Sequence, residues 1–250
     1  MKKIGLIGYG TIGRYICKKI LDEKDIEVGF VFDPYINKSE NKSFEIRNKF
    51  PENLKEIDLV VEAANSEAVK EYALIVLKST NLLTFSTTAF ADEIFLKEVV
   101  ETSINNKTNI YIPHGAILGI DGINDGKSML KSVSITTIKR PKNLGRKDDK
   151  RTVIYEGNTK GACKAYPKNV NVHGGVALAG IGFDNTKSKI IADPNVKGNT
   201  HIILAKGEGT EFEIKVSSVP KGLVSGVYTP ESAFGSIKRI LSTEGGIKVI

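Results

Sequence analysis

Short apolar runs alternate with helical stripes over the first 113 residues. The runs that predict buried strands cover residues 3–7, 27–32, 58–63, 82–86 and 109–112. Between them, residues 13–22, 66–78 and 91–105 have the spacing of helices. The expected inward stripes are Ile16, Ile20 and Leu21 in the first helix and Ala68, Tyr72, Ile75 and Val76 in the second. Strands separated by helices predict a parallel sheet with right-handed crossovers, covered on both faces.

The pattern changes after Pro113. Residues 131–139 alternate polar and apolar side chains, which is typical of a half-buried strand in an antiparallel sheet. Further strands are predicted over residues 188–193, 200–206 and 211–219, and helices over 170–180 and 230–241, with a charged loop over 141–151. The sequence therefore predicts an α/β chain with a first domain over residues 1–113 and a second, α+β domain on a mostly antiparallel sheet over residues 114–221. A helix within residues 222–250 is expected to pack back on the first domain.

Composition narrows the function classes. The chain has 250 residues, of which 40% are hydrophobic and 26% charged, an ordinary globular balance. Its net charge of +7 comes from lysines spread along the chain without an aromatic and basic cluster, so we expect no nucleic-acid partner. No run reaches the roughly 18 apolar residues of a membrane span. Because Cys17 and Cys163 match neither a disulfide framework nor a zinc motif, and no secretory leader is recognisable, we expect a cytoplasmic protein without a metal.

A glycine-rich segment follows the first predicted strand. Residues 8–13 read GYGTIG, a GxGxxG pattern that opens a helix and precedes an acid, Asp33, at the end of the second strand. In such a loop Gly8 permits the tight turn, Gly10 lets a pyrophosphate approach the backbone, and Gly13 lets helix and strand pack closely. The first helical N–H groups, at Thr11, Ile12 and Gly13, face the phosphates. This context predicts a Rossmann-type dinucleotide-binding domain.

The acid after the second strand bears on the choice of cofactor. A carboxylate at Asp33 can accept hydrogen bonds from the ribose hydroxyls and repels a 2′-phosphate, so NAD is favoured over NADP. Lys38 and Lys42 lie close by in the sequence and keep NADP open as an alternative. Ala63, at the end of the third predicted strand, completes the cofactor set expected from this half of the chain.

Three segments of the second half add a family resemblance. They read YIPHGAILGID over residues 111–121, YPKNVNVHGGVALAG over 166–180 and DPNVKGNTHII over 193–203. Together with the glycine loop they resemble, in order and over nearly the whole chain, the L-aspartate dehydrogenases. The resemblance implies a two-domain, NAD-dependent enzyme that oxidises L-aspartate to iminoaspartate, which can feed NAD biosynthesis or hydrolyse to oxaloacetate. It also implies that His201 is the active-site histidine and that Ala116 and Asn171 lie beside the nicotinamide.

The chemistry of amine oxidation supports a histidine independently. An ammonium group cannot expel hydride, so a base must first take its proton, and histidine titrates nearest to neutral pH. The chain has only His114, His173 and His201. A buried structural histidine is the alternative for His201, and a helix N-cap is the alternative for Asn171.

Substrate carboxylates require cations. Lys139 and Arg140 end a predicted strand, and Lys168 precedes the NVNV segment. Arg140 is favoured because a guanidinium pairs bidentately with a carboxylate, although each of these residues also fits an ordinary surface position.

Three departures from the family pattern concern the substrate. His114 stands where the family usually has serine, His173 follows NVNV where alanine is usual, and residues 225–232 replace an NPKTS-like stretch. We hypothesise that His114 and His173 reshape the substrate pocket. A different anionic amino, imino or oxo acid therefore remains an alternative to aspartate, as does a related reductase or a non-catalytic NAD-binding protein. Fold analogy predicts a homodimer or a higher homo-oligomer.

Overall fold

The chain divides into two compact units. The computed structural model describes residues 1–36, 44–219, 226–243 and 245–247. One unit comprises Met1–Pro113 with Ala233–Ile247, and the other comprises His114–Ser232. Each unit has its own sheet.

The sheet of the first unit is entirely parallel. Its strands are β1 (Lys2–Ile7), β2 (Ile26–Phe32), β3 (Ile46–Arg47), β4 (Leu59–Glu62), β5 (Asn81–Thr84) and β6 (Ile110–Tyr111). They lie in the order β3-β2-β1-β4-β5-β6, and every neighbouring pair is parallel. The direction of strand addition reverses between β1 and β4. In open sheets of this kind, ligands bind outside the carboxyl ends of the strands at that reversal.

Three helices connect these strands: α1 (Thr11–Ile20), α2 (Ser66–Leu77) and α3 (Glu93–Asn106). The predicted inward stripe of α1 is correct for Ile16 and Ile20, but Leu21 lies just beyond the helix and is 54% exposed. In α2 the predicted stripe is correct at Val76, and Tyr72 packs its half-buried ring against Phe32 and Phe50, but Ile75 is 47% exposed. The buried residues of α2 are Val69, Ala73, Val76 and Leu77, because the apolar second half of this helix is compatible with several stripes.

The sheet of the second unit is mixed. Its strands are β7 (Leu130–Lys139), β8 (Thr152–Asn158), β9 (Lys187–Ala192), β10 (Asn199–Gly207) and β11 (Thr210–Ser218). They lie in the order β11-β10-β7-β9-β8, and only β7 and β9 run parallel. The mostly antiparallel sheet is thus confirmed. The remaining helices are α4 (Ile120–Asp125), α5 (Thr159–Ala165), α6 (Asn171–Ala179) and α7 (Tyr228–Leu241).

One face of β7 carries the interior of the second unit. Val133, Ile135, Thr137 and Lys139 alternate along this face and are all buried. The inward positions are therefore apolar at the start of the strand and polar at its end. Three elements of this unit had no counterpart in the predictions: α4, β8 and α5. The predicted loop after β7 contains a 3-10 turn at Pro141–Leu144.

The last helix contributes to the core of the first unit. Phe234, Ile237 and Leu241 join the hydrophobic cluster that includes Ile4 and Ile16. No helix in the described part of the chain is both long enough and apolar enough to cross a membrane.

Candidate active site and family

The glycine-rich loop joins β1 to α1. Gly8 has φ of 94°, and a Cβ there would lie 2.8 Å from the Cβ of Ala64 and 3.0 Å from the carbonyl of Ala63. A Cβ on Gly13 would collide with the Gly8 carbonyl oxygen. Both glycines are thus required by the protein's own packing.

Gly10 differs from these two glycines. A Cβ at Gly10 would meet no protein atom within 4 Å, and its φ of −75° is open to any residue. It also precedes α1, whose first turn has no side-chain cap, so the N–H groups of Thr11, Ile12 and Gly13 have no intrahelical acceptor. This terminus fits a dinucleotide pyrophosphate, which needs free N–H donors and close approach to the backbone.

Asp33 supports the glycine loop from the end of β2. Its two carboxylate oxygens accept hydrogen bonds from Tyr9 N at 2.9 Å and Tyr35 N at 3.0 Å. Each oxygen keeps a further lone pair, so the carboxylate can still accept from ribose hydroxyls. Lys38 and Lys42, which bear on NADP, lie outside the described residues.

A buried carboxylate lies directly behind the loop. Glu62, at the end of β4, is 1% exposed and accepts from Ala64 N, Thr84 Oγ1, and both the N–H and the hydroxyl of Ser86. Burial raises the pKa of Glu62, and the four donors oppose that shift. Glu62 therefore holds the turn that contains Ala63 against the turn after β5. Sequence reasoning missed it, although a glutamate ending the apolar run DLVVEA was the available signal.

In the second unit, His201 lies on β10 opposite Thr137 of β7. It is 4% exposed, and its Nδ1 is 2.8 Å from the Thr137 hydroxyl. That hydroxyl is also 2.7 Å from Nε2 of His173, a fully buried residue of α6. The structure thus brings together two of the three histidines of the chain through one threonine, which sequence reasoning did not single out.

Burial and a nearby cation keep both imidazoles neutral. Desolvation, followed by the charge of Lys139, lowers the pKa of His201 to about 3. Desolvation and the charges of His201 and Lys139 lower the pKa of His173 well below its ordinary value. Both rings are therefore free bases at neutral pH.

The cation itself is unusual. Lys139 is 6% exposed, and its ammonium donates to the Asn169 carbonyl oxygen at 3.1 Å. Among the described residues, no carboxylate pairs with it. Burial lowers the pKa of Lys139 to about 8, so it remains mostly charged at neutral pH. An unpaired, buried ammonium beside a neutral imidazole is suited to an anionic ligand.

The other candidate cations are more exposed. Arg140 lies on the surface, where its Nε donates to the Val196 carbonyl oxygen at 2.7 Å, and Lys168 is exposed. The signal that favours Lys139 was present in the sequence, since its place in the alternation of β7 puts it on the inward face.

The remaining candidates lie on turns and at a helix start. His114 and Ala116 belong to a turn closed by Ile117 N donating to the His114 carbonyl, and His114 Nε2 is 3.3 Å from an Asp121 oxygen. Asn171 is the first residue of α6 rather than its N-cap, which is Val170. His173 is enclosed, which favours a role behind His201 over direct contact with a substrate.

Neither cysteine has catalytic character. Burial raises the pKa of both Cys17 and Cys163 to about 12, so both remain protonated. No group of three or more His, Cys, Asp or Glu side chains in the described residues could hold a metal ion.

Comparison with known proteins decides the family. Residues 121–240 match the family model "Aspartate dehydrogenase, C-terminal", and residues 8–113 match "Homoserine dehydrogenase, NAD binding domain". An L-aspartate dehydrogenase of Methanosarcina mazei is 34% identical over 97% of this chain and 98% of its own length. One of Thermotoga maritima is 35% identical over 86% of each chain. The chain belongs to the L-aspartate dehydrogenase family.

Solved structures agree with this membership. The aspartate dehydrogenase of Thermotoga maritima superposes with a TM-score of 0.83 at 31% identity, covering 98% of this chain and 99% of that one. A dihydrodipicolinate reductase from Paenisporosarcina reaches a TM-score of 0.52 at 15% identity, which shows a shared fold alone. The family resemblance, the two-domain α/β fold and the nicotinamide-dependent dehydrogenase class are therefore confirmed for this L-aspartate dehydrogenase family member.

Proposed function

We propose that the chain catalyses the reversible, NAD-dependent oxidation of L-aspartate to iminoaspartate, which hydrolyses to oxaloacetate and ammonia. One observation carries the proposal: a neutral imidazole, His201, lies near a buried ammonium, Lys139, that has no carboxylate partner among the described residues. An anionic amino acid needs such a cation for its carboxylate and such a base for its amine. Membership in the L-aspartate dehydrogenase family supports the choice of aspartate.

The cofactor residues of this proposal are those of the first unit together with Ala116 and Asn171. The backbone of Gly8, Gly10, Thr11, Ile12 and Gly13 would hold the pyrophosphate, with Ala63 beside it at the end of β4. Asp33 would bind the adenosine ribose and disfavour a 2′-phosphate, which makes NAD the preferred cofactor. Bound NAD would supply the hydride acceptor.

Substrate binding is assigned first to Lys139. Pairing a substrate carboxylate with its ammonium offsets the cost of burying that charge. The pairing also cancels a repulsion that lowers the pKa of His201, so the imidazole becomes a stronger base when substrate is present. His201 then takes the proton of the substrate ammonium on the ring nitrogen that faces away from Thr137. Arg140, Lys168 and His114 are the further candidates for substrate contact.

The test is an absorbance assay of the reduced cofactor with NAD and L-aspartate, run against L-glutamate, L-asparagine and L-alanine. We expect aspartate to be preferred and His201→Asn to lose at least about a hundredfold in kcat, in line with the loss of a general base. The affinity for NAD, measured by titration, should stay within about twofold. Lys206→Ala is the matched control, since it changes an exposed residue of β10, the strand that carries His201. If another anionic amino acid is preferred, that amino acid replaces aspartate as the proposed substrate. Tight NAD binding without turnover of any of them would reject the enzyme assignment.

Assembly and location follow as lesser proposals. The face of the second sheet opposite to Thr137 carries partly exposed Val153, Ile202 and Leu204. Apolar side chains on an open sheet favour pairing with a second copy, so we propose a homodimer. We also propose that the enzyme acts in the cytoplasm and that its product feeds NAD biosynthesis. Light scattering at increasing protein concentration tests the dimer, and a monomer throughout would reject it.

A further inference from the structure

An unbroken line of hydrogen bonds leads from His201 through the second unit. Beyond Thr137 and His173, Nδ1 of His173 is 2.8 Å from the Ser188 hydroxyl of β9. Ser188 Oγ is in turn 2.7 Å from the hydroxyl of Thr159, the first residue of α5. All of these side chains are at least 95% buried. The proposed mechanism uses only the first of these residues, His201.

The acceptor at the far end of this line determines which atom of each hydrogen-bonded pair donates the hydrogen. The Thr159 hydroxyl is 3.0 Å from the carbonyl oxygen of Thr186, which can accept a hydrogen bond but cannot donate one. When Thr159 gives its hydrogen to this carbonyl, its oxygen must accept from Ser188. The Ser188 hydroxyl then has no second hydrogen, so it must accept from Nδ1–H of His173.

The same assignment of donors and acceptors continues through His173 and Thr137 to His201. A neutral His173 with hydrogen on Nδ1 has a lone pair on Nε2, so Thr137 donates to that nitrogen. The Thr137 oxygen is left to accept from Nδ1–H of His201. Nε2 of His201 is then the nitrogen with the lone pair. The opposite direction leaves the Thr186 carbonyl without the Thr159 hydroxyl and puts a hydrogen on Nε2 of His201.

We propose that His173 is a positioning residue, which acts through Thr137 to keep the hydrogen of His201 on Nδ1 and the lone pair on Nε2. Resting on the proposed function, this makes His201 the correct tautomer to receive a proton from the substrate amine. His173 thereby has a function that does not require contact with substrate, at one of the positions where the chain departs from the family pattern.

The direct measurement is the tautomer of each imidazole in the free protein. Long-range ¹H–¹⁵N correlation spectra of protein labelled with [¹⁵N]histidine show which ring nitrogen carries hydrogen. Only three histidines contribute, and His114→Ala assigns the signals of the one outside the imidazole pair. We expect His173 and His201 both to carry hydrogen on Nδ1 at pH 7. Hydrogen on Nε2 of His201, or an even mixture of the two forms, would overturn the proposal.

Two variants interrupt the line of hydrogen bonds without changing His201 itself. Ser188→Ala removes the acceptor for His173, three hydrogen bonds from His201, and Thr137→Val removes the connection itself. We expect both to give a mixture of His201 tautomers and a two- to tenfold lower kcat, with KM for NAD changed less than about twofold. Thr137→Ser keeps the hydroxyl and should restore the wild-type tautomer and kcat. A merely structural role would lower stability without changing the tautomer, and that result contradicts the proposal.

The two proposals fail separately. The tautomers are measured without substrate or cofactor, so their outcome does not depend on which amino acid is oxidised. An Nδ1–H tautomer in a protein that turns over no aspartate would reject only the proposed function. Turnover of aspartate by a protein whose His201 carries hydrogen on Nε2 would reject only the role of His173.

Discussion

Replacing the buried ammonium of Lys139 by the thioether of methionine should stabilise the protein while impairing its activity. The fall of the pKa of Lys139 from 10.5 to about 8 is equivalent to about 3 kcal/mol, at 1.36 kcal/mol per unit. Below pH 8 the lysine is charged in both the folded and the unfolded chain, so the folded state bears this full cost at neutral pH. Lys139→Met has no charge at this position and so avoids this cost. Losing the partner of the Asn169 carbonyl costs about 1 kcal/mol, which leaves a net gain of about 2 kcal/mol at pH 7.

The stability difference between Lys139→Met and the wild-type protein should change with pH in a direction that follows from the lowered pKa of Lys139. As pH rises from about 8 toward 10.5, the folded lysine loses its proton before the unfolded one, and the wild-type protein gains stability. The advantage of Lys139→Met should therefore shrink over that range. The two buried thiols, Cys17 and Cys163, have the opposite effect above pH 9, since their pKa is raised to about 12, but they act equally in both proteins. The difference in unfolding free energy between the variant and the wild-type protein therefore reports on Lys139 alone.

Urea unfolding at pH 7 and at pH 9.5 measures that difference. With an m-value near 3 kcal/mol per molar, a gain of about 2 kcal/mol raises the midpoint at pH 7 by roughly 0.7 M. Lys142→Met, at an exposed lysine three residues further along, is the matched control and should leave the midpoint unchanged. The same Lys139 variant should raise KM for aspartate and raise the pKa of His201. A variant less stable than wild type at pH 7, or a gain that does not change with pH, would refute the account of Lys139.

Three further predictions concern the first unit and the cysteines. Gly10→Ala should fold normally but weaken NAD binding at least about tenfold in a titration, whereas Gly13→Ala should lower the melting temperature, because its Cβ collides with the loop backbone. Equal melting temperatures of these two variants would contradict the conclusion that Gly13 is required for packing whereas Gly10 is not. Asp33→Ser should shift the ratio of kcat/KM for NAD over NADP toward NADP by about tenfold or more, and an unchanged ratio would remove Asp33 from cofactor choice. Cys163 should resist a thiol reagent at pH 7.5 until urea unfolds the protein; rapid labelling of the native protein would show that the site opens.

Much of the first unit could be predicted from sequence because its signals are local. Continuous apolar strands, the GxGxxG turn and the acid after β2 each depend on a few adjacent residues, and the structure has them in the expected order. The stripe of α2 was only partly correct, because a helix with six apolar residues in a row has no unique inward face by periodicity. The short β3 pairs over two residues only and gives no pattern to read.

The site in the second unit could be predicted only in part, because its side chains meet through tertiary contacts. His201 could be named from the resemblance, but Thr137, Ser188 and Thr159 look like ordinary strand and helix residues in the sequence. Their role depends on the register that sets His201 opposite Thr137 and on the packing of α6 against β7. The bidentate geometry of a guanidinium favours Arg140 over Lys139 in the sequence, but in the structure only the lysine is buried.

The line of hydrogen bonds that leads from His201 to Thr186 also constrains how the second unit acquires its structure. Its members come from β10, β7, α6, β9 and α5, and directly bonded members are separated by up to 64 residues in the chain. A partly assembled unit leaves at least one of these buried polar groups without a partner, which costs about 1–3 kcal/mol. Intermediates that lack any one of the five elements are therefore penalised, and the unit should fold in a single cooperative step. Catalytic competence then arises at the end of folding, when the last of these elements docks.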